Sequence, residues 1–416
     1  VRSGWDGSEY RPAGRRIAPH CLLFPLYTAL YFFPLWLVAS SGFGEGILGR
    51  TGTDASTLMD RIAVLYAVGT ASFLLGSGCV SRLAAFSGGA GRGERRLAFL
   101  RVYRVDRIVL ALLVCAYLGS KAMLMSLGVY SSYAFDSNTM GSPVWTASMF
   151  FSEMLVFASL IALFSDLRRN VMVFLGLTLL SGINLLHGTR NFFVTAMIAA
   201  MLYGYTRKRV PLARMAVYGI GGFSAAVLLA YVVYLHRQHA DFSDFSLVSV
   251  LSPITYESVF SQISLVNVLA RPSLIEPVGH PGHLFVDVLV FASPRFLVGD
   301  KESLLWSQQF APLSPLGGFN GFAMGLLYFG YLLPVAYFLL GCTAEVLSRF
   351  SSTSQGAALY VYFCCDFLYR IQRDGYVIPM KMCLDIVAVL CFLSLLHLWV
   401  RRSAPCLRPT VEGVPA

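Results

Sequence analysis

VWTASMFFSEMLVFASLIALF, Val144 to Phe164, is a run of 21 residues in which Glu153 is the one charged side chain. A helix that crosses a bilayer needs about 20 mostly apolar residues, and this run has that length. It lacks the polar/apolar alternation of a barrel strand, and with no water in the bilayer core a helix satisfies its own backbone. Further apolar runs begin near residues 21, 60, 108, 170, 190, 214, 321, 357 and 376, which with this one gives about ten. The runs from Asn170 and Arg190 are the short ones.

The whole chain agrees with that reading. Of its 416 residues, 56% are hydrophobic and 13% charged, and the mean hydropathy is +0.65, far above a soluble domain. We expect an all-α polytopic membrane protein with about 10 transmembrane helices, 12 at most. Residues 1–235 hold helices one to seven, 236–320 form a large and partly helical outer loop, 321–400 hold helices eight to ten, and 401–416 are an inner tail. Arg2, Arg11, Arg15 and Arg16 precede the first run as in a signal peptide. Cys21 to Ser40 is long enough to span and has no small-residue cleavage site, so it reads as an uncleaved first helix.

A net charge of +10 invites comparison with nucleic-acid binders, but its placement points to topology instead. Ser81 to Arg107 carries seven arginines, and the segments DLRRN (Asp166–Asn170), TRKRVPLAR (Thr206–Arg214) and VRRSAPCLRPT (Val400–Thr410) carry most of the rest. Assigned to the cytoplasm, these clusters put every alternate loop outside and both tails inside, as the positive-inside rule requires. The glycines of SGGAGRGERR lack the GK[ST] ending of a phosphate loop and read as a linker. The nine cysteines show no CxxC or Cys/His spacing, so no metal site and no cofactor is expected, and the thiols should be reduced.

Eleven of the 32 Lys and Arg remain on or near the outer face: Arg50, Arg61, Lys121, Arg190, Arg237, Arg271, Arg295, Lys301, Arg370, Arg373 and Lys381. They run against the topology gradient, and a cation at a helix centre costs about 2.5–3.5 kcal/mol on insertion scales. That cost makes them candidates for function. Asp366, Arg370 and Arg373 fall at i, i+4 and i+7 and so share a helix face, and Lys381 with Asp385 is a second i, i+4 pair. Glu153 needs a partner such as Lys121 or an outer arginine, or a proton. Residues 236–320 are too long for a simple connection, and their helical spacing of apolar residues predicts helices that lie in the outer interface or dip into a cavity.

Three segments, taken in order, resemble the oligosaccharide repeat-unit polymerases, the Wzy-type O-antigen polymerase family. LLHGTRNFFV, with His187 and Arg190, looks like that family's G-x-R signature at the outer end of a central helix. SPRFLVGDKESLLWSQQ, with Arg295 and Lys301, is similar to the Pro-Arg and Asp-Lys of its large outer loop. GGFNGFAMGLLYFGYLLPVAYFLLG is similar to its glycine-rich entry to a late helix, and YRIQRDGYV, with Arg370 and Arg373, gives a weaker fourth match. The resemblance covers roughly Asn184 to Lys381. Many relatives carry a Glu in the third segment. Here Asn320 to Met324 reads NGFAM, so no carboxylate role is carried over.

The resemblance implies a glycosyltransferase of the bacterial inner membrane with its site facing outward. A chain on undecaprenyl pyrophosphate would pass to a hydroxyl of the next lipid-linked repeat unit, with a chain-length regulator, a flippase and membrane lipids as partners and no nucleic acid. A departing pyrophosphate needs positive charge at its oxygens. The outer regions contain no DxD for a metal, whereas an arginine fork holds phosphate bidentately without one. Arg190, Arg237, Arg295, Lys301, Arg370 and Arg373 are the cations of that expectation, with Glu153 beside the substrate. The acceptor hydroxyl must also lose a proton, for which His187, His236, His239, Asp241, Asp244 and Glu153 are the outer bases. The loop aromatics, Trp306 and Phe310 among them, fit an interfacial belt or a sugar-stacking surface. The rival functions are an O-antigen ligase and a non-enzymatic exporter of lipid-linked oligosaccharide.

Overall fold

The computed structural model describes residues 17–41, 55–86, 104–127, 142–165, 168–186, 191–208, 210–238, 247–293, 295–314, 318–352 and 354–403. About 90% of the structure is helical, and no strand occurs among the described residues. The principal helices are α1 Pro19–Ser41, α2 Met59–Phe86, α3 Arg104–Ser126, α4 Pro143–Phe164, α5 Arg168–Ser181, α6 Asn191–Thr206 and α7 Leu212–Gln238. They continue as α8 Leu247–Leu269, α9 Pro281–Ala292, α10 Gly321–Phe329, α11 Leu333–Arg349, α12 Ser354–Tyr362, α13 Leu368–Asp374 and α14 Val377–Ser403.

Among the described residues six helical stretches are long and apolar enough to cross a membrane: Pro19–Ser40, Ser56–Leu83, Ile108–Ser126, Pro143–Phe164, Gly321–Arg349 and Val377–Leu395. That is fewer than the expected ten, because Asn170–Ser181 and Asn191–Thr206 are apolar but short, α12 with α13 carries the charged end of its run, and many side chains of α7 lie outside the described residues. The chain is an all-α, multi-pass membrane protein. Its long helices leave leucines, valines and phenylalanines exposed along their outer sides, including Phe33, Leu75, Leu112, Leu179, Leu339 and Phe392, as lipid-facing surfaces require.

Helix packing follows the glycines. In α2 and α11, a Cβ on Gly76 would stand 2.0 Å from the Phe338 carbonyl, and one on Gly341 2.0 Å from the Phe73 carbonyl. The two backbones touch reciprocally there, the small-residue packing that helices in lipid use to gain dispersion contact. Gly330 breaks α10 from α11 at φ 54°, and a Cβ on it would lie 1.9 Å from the Glu276 carbonyl. The 276–279 turn nests in that break, with Tyr331 N donating to Pro277 O at 3.1 Å.

The expected outer segment divides in two. Residues 258–269 of α8 are enclosed by α1, α7, α10 and α13, with Val259, Ile263, Leu265 and Val266 fully buried. Ser258, Ser261, Gln262, Ser264 and Asn267 are buried as well, so this half of α8 dips into the bundle. An interfacial helix would keep its polar side in water. By contrast, α9 packs on α14 and α10 through Leu284, Asp287 and Val288 and leaves Phe285, Val286 and Leu289 exposed.

Candidate functional site

The polar interior centres on α13. A π-turn, Phe363–Phe367, joins it to α12 and brings Asp366 onto the side that carries Arg370. Such single-turn widenings of a helix recur at functional sites. Arg370 Nε lies 2.8 Å from Asp366 Oδ2, its Nη1 is 3.7 Å from Asp374 Oδ2, and its guanidinium covers the Phe192 ring at 5.4 Å. Asp366 Oδ1 also accepts from Thr195 Oγ1 at 3.1 Å. Arg373, more open, reaches Asp374 Oδ1 at 3.6 Å and donates from Nη1 to Asn191 Oδ1 at 3.1 Å. The start of α6 and the end of α13 are thereby joined.

Glu153, at the middle of the most enclosed spanning helix, is 1% exposed. The Tyr362 hydroxyl lies 3.2 Å from its Oε1 and 3.0 Å from Asp366 Oδ2. Of the alternatives expected for Glu153, namely Lys121, an outer arginine or a proton, Lys121 is corrected: it bonds elsewhere. Lys121 Nζ donates to Asn184 Oδ1 at 2.7 Å, and Ser152, one residue before Glu153, donates to the same oxygen at 2.9 Å. Successive helix positions point about 100° apart, so Ser152 and Glu153 serve different neighbours. Lys381 and Asp385 form their i, i+4 pair on α14, within electrostatic reach of Glu153.

Beside this cluster stands a node of uncharged polar groups. Asn320 caps α10, its Oδ1 accepting from Phe322 N at 2.8 Å, while its Nδ2 donates to Tyr66 OH at 3.1 Å and to Gln372 O at 2.9 Å. Tyr66 in turn donates to Gln262 Oε1 at 2.7 Å, and Ser264 Oγ accepts from Asn320 N at 2.9 Å. Gln262 Nε2 and both amide atoms of Gln372 have no partner among the described residues although they are buried. Buried amides without partners are costly, and ordered water or a polar ligand satisfies them.

The loop after α9 is latched by one carboxylate. Asp287, fully buried, accepts from Trp306 N at 2.8 Å, from Ser307 N at 2.9 Å and from Tyr328 OH at 2.5 Å. Trp306 stacks on His283 with ring centroids 5.1 Å apart and sits beside Phe310, Phe319, Met324 and Tyr328 in a crevice with no room for a water molecule. His283, Phe310 and Tyr328 all lie against the indole, so these aromatics form a plug more than an open sugar platform.

The nine residues singled out from sequence fare differently. His187 and Arg190 lie outside the described residues. His236, Arg237 and Arg295 belong to helices whose backbone is described, but their side chains lie outside it. Lys301 donates to Phe291 O at 2.8 Å, at the C-terminal end of α9, a position where a cation complements the helix carbonyls. Arg370, Arg373 and Glu153 come together in one cluster.

The four quoted segments also converge. Asn191 directly follows Arg190 in sequence and meets Arg373. Gly321 sits so close to Ile371 that a Cβ would stand 2.3 Å from its carbonyl, and the loop after Arg295 docks on Tyr328. Tyr362, Asn191, Gln262 and Gln372 went unnoticed in sequence. Only Gln262, one of two amides in an apolar run, gave a signal there. No family model, no curated protein and no solved structure matches this chain.

Proposed function

We propose that the protein polymerises lipid-linked oligosaccharide repeat units into a surface polysaccharide, by glycosyl transfer from an undecaprenyl-pyrophosphate-linked chain at the outer face of the bacterial inner membrane. The observation that carries this reading is the convergence of three of the four segments on which the family resemblance rests. They are scattered from Asn184 to Lys381 in sequence, yet Asn191, Asn320, Gly321 and Arg373 gather where α6 and α10 begin and α13 ends.

In this reading ten crossings are made by α1 to α7, by α10 with α11, by α12 with α13, and by α14, while α8 and α9 enter from the outer side and return. Both tails then face the cytoplasm, in keeping with their arginines. Arg190, Arg237 and Arg295 hold the diphosphates, joined at the rim by Arg373. Arg370, enclosed between Asp366 and Asp374, positions Arg373. A planar guanidinium suits this work because it meets two phosphate oxygens at once and keeps its charge in a dry site.

Elongation of purified lipid-linked repeat units in proteoliposomes tests the reading. Transfer to lipid A core with no lengthening would make the protein a ligase, and passage of the lipid-linked unit across the bilayer without bond formation would make it an exporter.

A further inference from the structure

Tyr362 faces two carboxyl groups with a single proton to give. Its oxygen is 3.0 Å from Asp366 Oδ2 and 3.2 Å from Glu153 Oε1, and all three side chains are enclosed. Asp366 is already ion-paired with Arg370, its Oδ2 2.8 Å from Nε, and accepts from Thr195 Oγ1, the surroundings of an ionised carboxylate. The tyrosine proton therefore belongs to Asp366, and the contact with Glu153 is a hydrogen bond only if Glu153 is the donor.

The charge balance agrees. The groups around Glu153 are Tyr362 from α12, Asp366 from the π-turn, Arg370 from α13, Lys381, Cys383 and Asp385 from α14, and Thr195 from α6 by way of Asp366. Lys121 of α3 and Asn184 face Ser152 instead. With Arg373 and Asp374 included, three cations stand against four acids, and a proton on Glu153 brings the cluster to neutrality.

We propose that Glu153, Tyr362 and Asp366 form an intramembrane proton-binding site: Glu153 carries the proton and donates to the tyrosine oxygen, which donates to Asp366, which holds Arg370. The ligand is a proton, and the relay couples its occupancy to the Asp366–Arg370 pair. This goes beyond the polymerase reading and does not depend on it. Carboxyl groups inside membranes mark proton relays in pumps and transporters, because an unpaired charge there is expensive.

Infrared spectroscopy of the intact protein in lipid at neutral pH tests it. The wild type should show a carboxylic-acid carbonyl band that shifts when glutamate carries a ¹³C carboxyl label. Glu153→Gln should lose that band, and Glu345→Gln should keep it. Should Glu153→Gln fail to fold, Tyr362→Phe provides the assignment, since losing the acceptor oxygen must shift the band. Absence of a label-sensitive band, its survival in Glu153→Gln, or an unshifted band in Tyr362→Phe would overturn the proposal.

Discussion

Asn191 and Arg373, 182 positions apart in sequence, meet at 3.1 Å and tie the first turn of α6 to the last turn of α13. The contact brings the residue that follows Arg190 to the most open cation of the polar cluster. In the proposed reaction both arginines act as forks on phosphate oxygens. Arg190→Lys and Arg373→Lys keep the charge and lose the fork, and the loss of one charge-assisted bond, about 1.5–3 kcal/mol, slows elongation by roughly 10- to 100-fold. Lys301→Ala should slow it by less than about threefold, because Lys301 serves the Phe291 carbonyl at the end of α9. Initial elongation rates of the three variants check the ranking, and near-normal turnover in Arg190→Lys would sink the phosphate-fork role.

Asp366 and Arg370 are paired where water is scarce, so removing one strands the other. Arg370→Met should cost about 3–5 kcal/mol of stability, and Asp366→Leu with Arg370→Met should recover most of it, because an apolar pair leaves no uncompensated charge. Thermal unfolding in detergent compares the single and double variants. Equal losses in both would mean that the pair contributes through shape alone.

The α2–α11 contact predicts a sharp contrast between glycines. Gly76→Ala and Gly341→Ala place a methyl group against a carbonyl and should each destabilise by at least about 1–3 kcal/mol, as overpacking does. Gly78→Ala and Gly119→Ala meet nothing within 4 Å and should stabilise by roughly 0.5–1 kcal/mol through better helix propensity. Unfolding midpoints of the four variants measure this difference.

Asp287 holds the backbone of Trp306 and Ser307, so Asp287→Ala leaves two amide donors and the Tyr328 hydroxyl without their acceptor. Each stranded group costs about 1–3 kcal/mol. The loop should detach before the bundle unfolds. Limited proteolysis should cut the variant between residues 300 and 320 at protease levels that leave the wild type whole, with the transmembrane helices intact in both.

The membrane character and the longest spans were legible because hydropathy is a property of local composition. Val144–Phe164 and Pro19–Ser40 need no tertiary information to be recognised. The i, i+4 pairs Asp366–Arg370 and Lys381–Asp385 were legible for the same reason, since one helix contains both partners. The depth of α8 was only half legible. Its apolar spacing suits an interfacial helix equally well, and the partners that draw Gln262 and Ser264 inward, Tyr66 and Asn320, are distant in sequence. The bridge between Glu153 and Asp366 was hidden because a tyrosine among many aromatics carries no mark of its role. The latch on Asp287 was hidden because its partners are mainly backbone amides, which every sequence has. The candidate site is thus made mostly of long-range contacts to residues that look ordinary one at a time.

The most direct test of the central claim is reconstitution. Purified protein in liposomes, supplied only with undecaprenyl-pyrophosphate-linked repeat units, should convert them into a ladder of longer chains and release undecaprenyl pyrophosphate in step with each added unit. Repeat units that remain single while the protein is folded and correctly inserted would contradict the account.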